Sequence, residues 1–126
     1  MSAKEKVARR CQQLLSEGCV ILDFETTGFV SSTVDIIEVA IISHTGEVLM
    51  DTLLKPDCPI PYGASAVNGI YDEDVADAPT FIEMYPKLLR HLTGQPVIAY
   101  NFSFERDILK AVTTRRGLPL QVSEWY

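Results

Sequence analysis

The stretch Cys19-Val20-Ile21-Leu22-Asp23-Phe24 constrains this chain more than any other. It is short, almost continuously apolar, rich in β-branched side chains, and set between Gly18 and Gly28. That pattern predicts a central strand buried on both faces. Ile36-Ile37-Glu38-Val39-Ala40-Ile41-Ile42 predicts a second strand, His44-Thr45-Gly46-Glu47 a turn, and Val48 to Leu54 a third strand ended by Pro56. Three strands joined by short connections predict an antiparallel meander.

Helices are signalled by caps and spacing. Ser2-Ala3-Lys4-Glu5 is a capping box, with Val7, Cys11, Leu14 and Leu15 at helical intervals, so a helix is predicted over roughly 3–17 and Gly18 fits its end. Pro56 to Pro79 is irregular, with one helical turn near Ala64–Val67. Thr80-Phe81-Ile82-Glu83 is a second capping box, followed by the stripe Met84, Tyr85, Leu88, Leu89, Leu92; Pro86 should kink this helix and Gly94 end it. Pro96-Val97-Ile98-Ala99-Tyr100 predicts a fourth strand. Ser103 can cap a last helix running to Arg116, with Gly117 and Pro119 beyond, and Val122–Tyr126 begins a fifth strand. Helix, three strands, helix, strand, helix is the order of an α/β fold with a mixed sheet in one domain over 1–126.

Composition narrows the class. The 126 residues are 47% hydrophobic, enough for one core. No apolar run approaches the roughly 20 residues of a membrane span, and the first residues lack a signal-like core, so no membrane partner and a cytoplasmic location are expected. Cys11, Cys19 and Cys58 show no C-x-x-C spacing, against a zinc site or a disulfide framework. A net charge of −6 opposes general nucleic-acid binding. Its distribution says more: between Cys11 and Pro86 stand 13 acids and one base, Lys55, with the other bases at the two ends. The acidic middle could hold cations while the basic ends meet phosphate; ordinary solvated helix faces would look the same.

Asp23-Phe24-Glu25 carries the chemistry. Side chains at i and i+2 of a strand share a face, so the two carboxylates point together and Phe24 points away. Two charges ~6 Å apart repel by about 3 kcal/mol at an effective dielectric of ~20. A hard divalent ion relieves that repulsion. After Thr26-Thr27, Gly28 leaves room for close backbone approach. A second acidic segment, Ala99 to Asp107, leaves the fourth strand and enters a helix. At about 100° per residue, Phe104, Ile108 and Val112 set the core direction. Glu105 then falls at the edge of that direction, and Asp107 lies roughly 200° away, toward solvent. Phe24, Phe81, Tyr85 and Phe104 suit a core; Tyr62, Tyr71, Phe102 and Trp125 are candidates for base stacking.

These segments together resemble a known family. Ile21-Leu22-Asp23-Phe24-Glu25-Thr26-Thr27-Gly28 resembles the first motif of DnaQ-like (DEDD, DEDDh type) 3′→5′ exonucleases, D-x-E-T-T-G after an apolar strand. Asp35 to Ala40 resembles their second strand, Ala66-Val67-Asn68-Gly69-Ile70 their V-H-G-I segment, and Val97 to Glu105 their second motif, commonly H-N-x-x-F-D. The resemblance implies a ribonuclease-H-like mixed sheet of order 3-2-1-4, a fifth strand only begun, with strand 2 antiparallel. It implies hydrolysis of terminal phosphodiesters with two divalent ions, Mg²⁺ or Mn²⁺, at the single-stranded 3′ end of DNA or RNA, with a DNA polymerase or repair complex as a conceivable partner. Asp23, Glu25 and Glu105 would be its catalytic metal ligands, Glu105 partly through water. Phe24, Thr26, Thr27, Gly28, Asn68, Ile70, Tyr100 and Asn101 would bind the terminal nucleotide. Glu105 is a methylene longer than the usual Asp, and Asn68 and Tyr100 stand where His is frequent.

The resemblance also calls for a later helix with a metal-ligand Asp, preceded by a His five residues before it or a Tyr four before. No such pair occurs here: five after His44 and His91 stand Leu49 and Pro96, and four after Tyr62, Tyr71, Tyr85 and Tyr100 stand Ala66, Val75, Leu89 and Phe104. The expectation is a domain cut short at its C-terminus, with weak metal binding, little hydrolysis, and self-association through an uncovered sheet edge. A non-catalytic nucleic-acid or protein-binding module on the same fold is the alternative. An actin-like phosphotransfer domain is disfavoured, because Glu25-Thr26-Thr27-Gly28 supplies no D-x-G-T-x phosphate loop.

Overall fold

The computed structural model describes residues 1–122 and 124–126. Its elements are α1 (Ala3–Glu17), β1 (Val20–Thr26), β2 (Ile36–Ser43), β3 (Val48–Leu53), α2 (Tyr62–Asn68), α3 (Asp72–Val75), α4 (Phe81–Leu92), β4 (Val97–Ile98) and α5 (Phe102–Arg115). The strands form one sheet of order β3-β2-β1-β4, with β2 antiparallel to β1 and β3, and β4 parallel to β1. This is the predicted ribonuclease-H-like arrangement. Beyond β4, Trp125 bridges Val97 in parallel, and the Val97, Ala99 and Tyr126 amides complete the pairing. The expected Val122–Tyr126 strand thus shows one bridge; Ser123 within it lies outside the described residues.

β1 departs from the sequence reading in one respect. Val20, Leu22 and Phe24 are buried, but Ile21 and Glu25 are half-buried and Asp23 is exposed. The strand is buried on one face only, because α4 and α5 both pack there. Phe81, Met84, Tyr85, Leu88 and Leu92 of α4, with Ile108, Leu109 and Val112 of α5, meet Val20, Leu22, Phe24, Val39, Ile41 and Met50. Each large side chain buried this way contributes roughly 1.5–3 kcal/mol. A second cluster joins Ile37, Ile60, Ile70 and Val75 under α2 and α3.

The N-terminal cap forms in full, with Ser2 and Glu5 each bonding the other's amide. At α4 only the Thr80 half forms, and the helix continues through Pro86. Three further expectations are corrected. α3 was not foreseen. β4 is two residues long rather than five. α5 begins at Phe102 with Asn101 as its N-cap, so Ser103 lies inside the first turn and its hydroxyl meets the Asn101 side chain. Trp125 packs against the main core rather than standing free for stacking.

Candidate active site

The antiparallel register of β1 and β2 sets the electrostatics. Asp23 pairs with Ala40 and Glu25 with Glu38, while Ala40 pairs in turn with Asp51. Opposed residues share a sheet face, and like charges opposed in this way destabilise. The open face therefore gathers Asp23, Glu25, Glu38 and Asp51. Glu25 is raised above the usual carboxylate range by burial first, then by Asp23 and Glu38. Glu38 is raised by burial, then by Asp51 and Asp23. The sequence reading did not single out Glu38; strand register, which alternation within one strand does not reveal, brings it opposite Glu25.

Glu105 enters from the first turn of α5. Ile108, Leu109, Val112 and Thr113 share its buried face, so Glu105 points further inward than a core axis on Phe104 predicted. It is 5% exposed, and its Oε2 has no hydrogen-bond partner. Burial, and after it the charge of Asp23, push its pKa up to about 7; a backbone hydrogen bond from Phe24 pulls the other way, and Glu25 adds a smaller upward push. Asp107 is exposed and pairs with Arg106 at 3.2 Å, on the side the helical phase predicts. Among the described residues, Asp23, Glu25, Glu38 and Glu105 form no salt bridge.

A cation would meet these oxygens as a hard ion meets carboxylates. The donor chemistry fits, and the unpartnered Oε2 of Glu105 is a buried acceptor awaiting a positive or hydrated partner. Yet no group of three or more His, Cys, Asp or Glu side chains among the described residues closes tightly enough to hold a metal directly. The acids feel one another's charge without converging on one point. The carboxylates suit a hard divalent ion in kind, but among the described residues they form no direct three-carboxylate cage.

Beside Glu25 opens a cavity of about 300 Å³, lined by Phe24, Glu25, Thr26, Thr27, Gly28, Phe29, Gly63, Ala64, Val67, Asn68 and Phe104. Phe24, Thr26, Thr27, Gly28 and Asn68 are thus brought together. Both threonine hydroxyls are engaged in the turn: Thr26 Oγ1 donates to the Gly28 carbonyl, and Thr27 Oγ1 accepts from the Asp35 amide. A Cβ on Gly28 would meet nothing within 4 Å, so the protein itself does not demand a glycine there. The remaining expected residues lie elsewhere. Ile70 is buried in the second core cluster, since its position at the foot of α2 turns it toward Ile37 and Val75. Tyr100 is fully exposed, and Asn101 is exposed at the head of α5; neither lines the cavity.

Comparison with known proteins bears on the family and the fold. The sequence model of the RNase T exonuclease family matches residues 20–113. An uncharacterized exonuclease of Escherichia phage 186 is 29% identical over 112 residues, covering 89% of this chain and 57% of that protein. A PolC-type DNA polymerase III of Caldanaerobacter subterraneus is 30% identical over 105 residues, 81% of this chain and 8% of the polymerase. Exonuclease X, solved with 5′-overhanging duplex DNA, superposes with a TM-score of 0.63 at 29% identity, over 85% of this chain and 57% of that one. Product-bound Exonuclease I superposes at 0.73 with 16% identity, over 86% of this chain and 29% of that one, a likeness of fold. The chain therefore spans little more than half of the phage exonuclease and a small part of the polymerase. With three-quarters of its length matched by the family's model, the chain belongs to the exonuclease family.

Proposed function

We propose that this site removes nucleotides from the single-stranded 3′ end of a nucleic acid, DNA in the first place, with Mg²⁺ or Mn²⁺ as cofactor. The observation that carries this reading is the unpartnered, buried carboxyl of Glu105 beside Asp23 and Glu25, with a nucleotide-sized cavity adjoining Glu25. The family's chemistry depends on divalent metal. Asp23 and Glu25 would hold the ions directly and Glu105 through water. The metal supplies water activation and stabilisation of the leaving oxygen. The chain's own residues do the positioning. Phe24 gives the cavity an apolar wall, Gly28 leaves space for close approach, and Asn68 fixes the far wall.

These 126 residues carry no His or Tyr at the spacing that the resemblance requires before a metal-ligand Asp. A general base typically contributes ~10²–10⁴-fold. Slow hydrolysis by this polypeptide is therefore part of the proposal. The reducing cytoplasm suits its three free cysteines. Kinship with DNA polymerase III proteins supports a polymerase partner. Self-association through the sheet edge beyond β4 belongs to the proposal too, although the Val97–Trp125 bridge covers part of that edge.

A non-catalytic binding module is favoured only by the failure of the acids to converge. Calorimetry with Mn²⁺ and a 5′-labelled single-stranded oligonucleotide separates the two readings. Binding of Mn²⁺ and trimming from the 3′ end, both lost on Asp23→Asn, is expected. Absence of Mn²⁺ binding, or binding indifferent to Asp23→Asn, would sink the nuclease reading.

A further inference from the structure

The loop of residues 28–34 joins β1 to β2 and has open space on both sides. Thr27, Gly28 and Phe29 line the cavity beside Glu25, and they also line a second cavity of about 580 Å³ bounded by Cys58, Pro59 and Pro61. Phe29 is 89% exposed. Residues 28–33 are all exposed and only Val34, at the far end, is buried in the main core, so the exposed part has few contacts to hold it in place. At its base, the Thr27 amide donates to the Asp35 carbonyl and the Asp35 amide to Thr27 Oγ1, both at 2.9 Å. Along its length the tether comes from α5: Arg115 Nη1 donates to the Ser32 carbonyl at 3.0 Å and the Val34 carbonyl at 2.8 Å.

The anchor behind that tether is rigid. The Asp35 carboxylate, 5% exposed, accepts from the Ile36 amide at 3.1 Å, the Asp57 amide at 3.0 Å and Arg116 Nη2 at 2.8 Å, with Arg115 Nη2 at 3.6 Å. Arg116 also bonds Asp57 at 2.8 Å and lies over the Phe81 ring. One helix thus presents Glu105 near its start and the loop's tether at its end.

We infer that Arg115, braced by the Asp35–Arg116 pair, is a positioning residue that latches the 28–34 loop as a wall of the nucleotide cavity. This rests on the reading of the cavity given above. Arg115 does not touch the cavity beside Glu25 and acts through the loop. Both carbonyls are met by the one nitrogen Nη1 while Nη2 faces Asp35, so a lysine ammonium supplies donors for the loop but no second nitrogen for the brace.

The test compares the full chain with Arg115→Ala and Arg115→Lys by amide hydrogen exchange and by calorimetric titration with Mn²⁺ and with thymidine 5′-monophosphate. In Arg115→Ala, exchange within 28–34 should quicken roughly tenfold while β1 and β2 stay protected, as expected for loss of two backbone-directed hydrogen bonds. Nucleotide affinity should fall by about the same factor, Mn²⁺ affinity should hold, and Arg115→Lys should recover part of the loss. Unchanged exchange in the loop overturns the latch. So does quickened exchange with undiminished nucleotide affinity, and so does an equal fall in Mn²⁺ affinity, which would mark general loosening. A wild-type chain that binds no nucleotide refutes the exonuclease reading instead, and the exchange comparison still decides the latch.

Discussion

Asn68 Nδ2 donates to the carbonyl oxygen of Thr26 at 3.2 Å, and Asn68 Oδ1 accepts from the Ile70 amide at 3.0 Å. One side chain so ties the end of α2 to the end of the strand that carries Asp23 and Glu25. Asn68→Ala removes both bonds and leaves a part-buried carbonyl and amide without them. At about 1 kcal/mol per net hydrogen bond, a loss of roughly 1–3 kcal/mol is expected. Urea denaturation should show a lower midpoint with an unchanged slope. A midpoint equal to wild type would mean that water replaces Asn68 without cost.

Glu105 sets a pH dependence whose sign is fixed by its environment. Its folded-state pKa is raised to about 7 from the ordinary carboxylate value of 4.5, by burial and then by Asp23. The folded chain therefore holds an extra proton between those values. The contribution to stability is fully present below about 4.5 and is lost as pH rises through about 7. Glu25 and Glu38 are raised too and act with the same sign. Denaturation midpoints should fall between pH 5 and pH 8, and Glu105→Gln should flatten much of that slope. Mn²⁺ should restore wild-type stability at pH 8 more than it does that of Glu105→Gln. An unaltered slope in Glu105→Gln would place the titration on other groups.

Arg116→Met strips the best partner from a buried carboxylate. Removing one member of a buried ion pair costs roughly 3–5 kcal/mol, because the other charge stays behind. Arg115, 3.6 Å from Asp35 Oδ1, offsets part of this. Combining Arg116→Met with Asp35→Asn should recover stability relative to Arg116→Met alone. Failure to recover would indicate that the loss comes from the guanidinium's contact with Phe81 rather than from Asp35.

The parts legible in the sequence were those governed by local rules. The Ser2–Glu5 cap, the run from Val20 and the stripe from Phe81 to Leu92 each declare their element through neighbours within a turn or two. α3 is four residues long, too short for any periodicity to show. The open face of β1 was hidden by Ile21, an apolar residue that stays half-buried because α4 and α5 lie on the opposite side. In the site, strand alternation was enough to pair Asp23 with Glu25, and helical phase to choose Glu105 over Asp107. Glu38 required the register of two strands. Ile70 and Tyr100 show that a family segment marks a place in the chain without giving the direction of its side chain.

Asp23 and Asp107 offer the sharpest contrast within one experiment. Asp23 is exposed on the strand face, raises both Glu25 and Glu105, and forms no salt bridge among the described residues. Asp107 is exposed too, but it sits beside Arg106 on the outer face of α5. Surface exposure therefore does not distinguish them; only the company of other acids does. Asp23→Asn removes a charge from the cluster, so Mn²⁺ binding should be lost and the pH-dependent fall in stability should weaken and move to lower pH, as Glu25 and Glu105 ionise more easily. Asp107→Asn should leave both measurements near wild type, since an exposed pair contributes about 0–1 kcal/mol. Calorimetry with Mn²⁺ and urea midpoints across pH 5–8 read the two effects separately. Equal loss of Mn²⁺ binding in both variants would show that the ion is drawn by overall negative charge, and that the cluster around Glu105 is not its site.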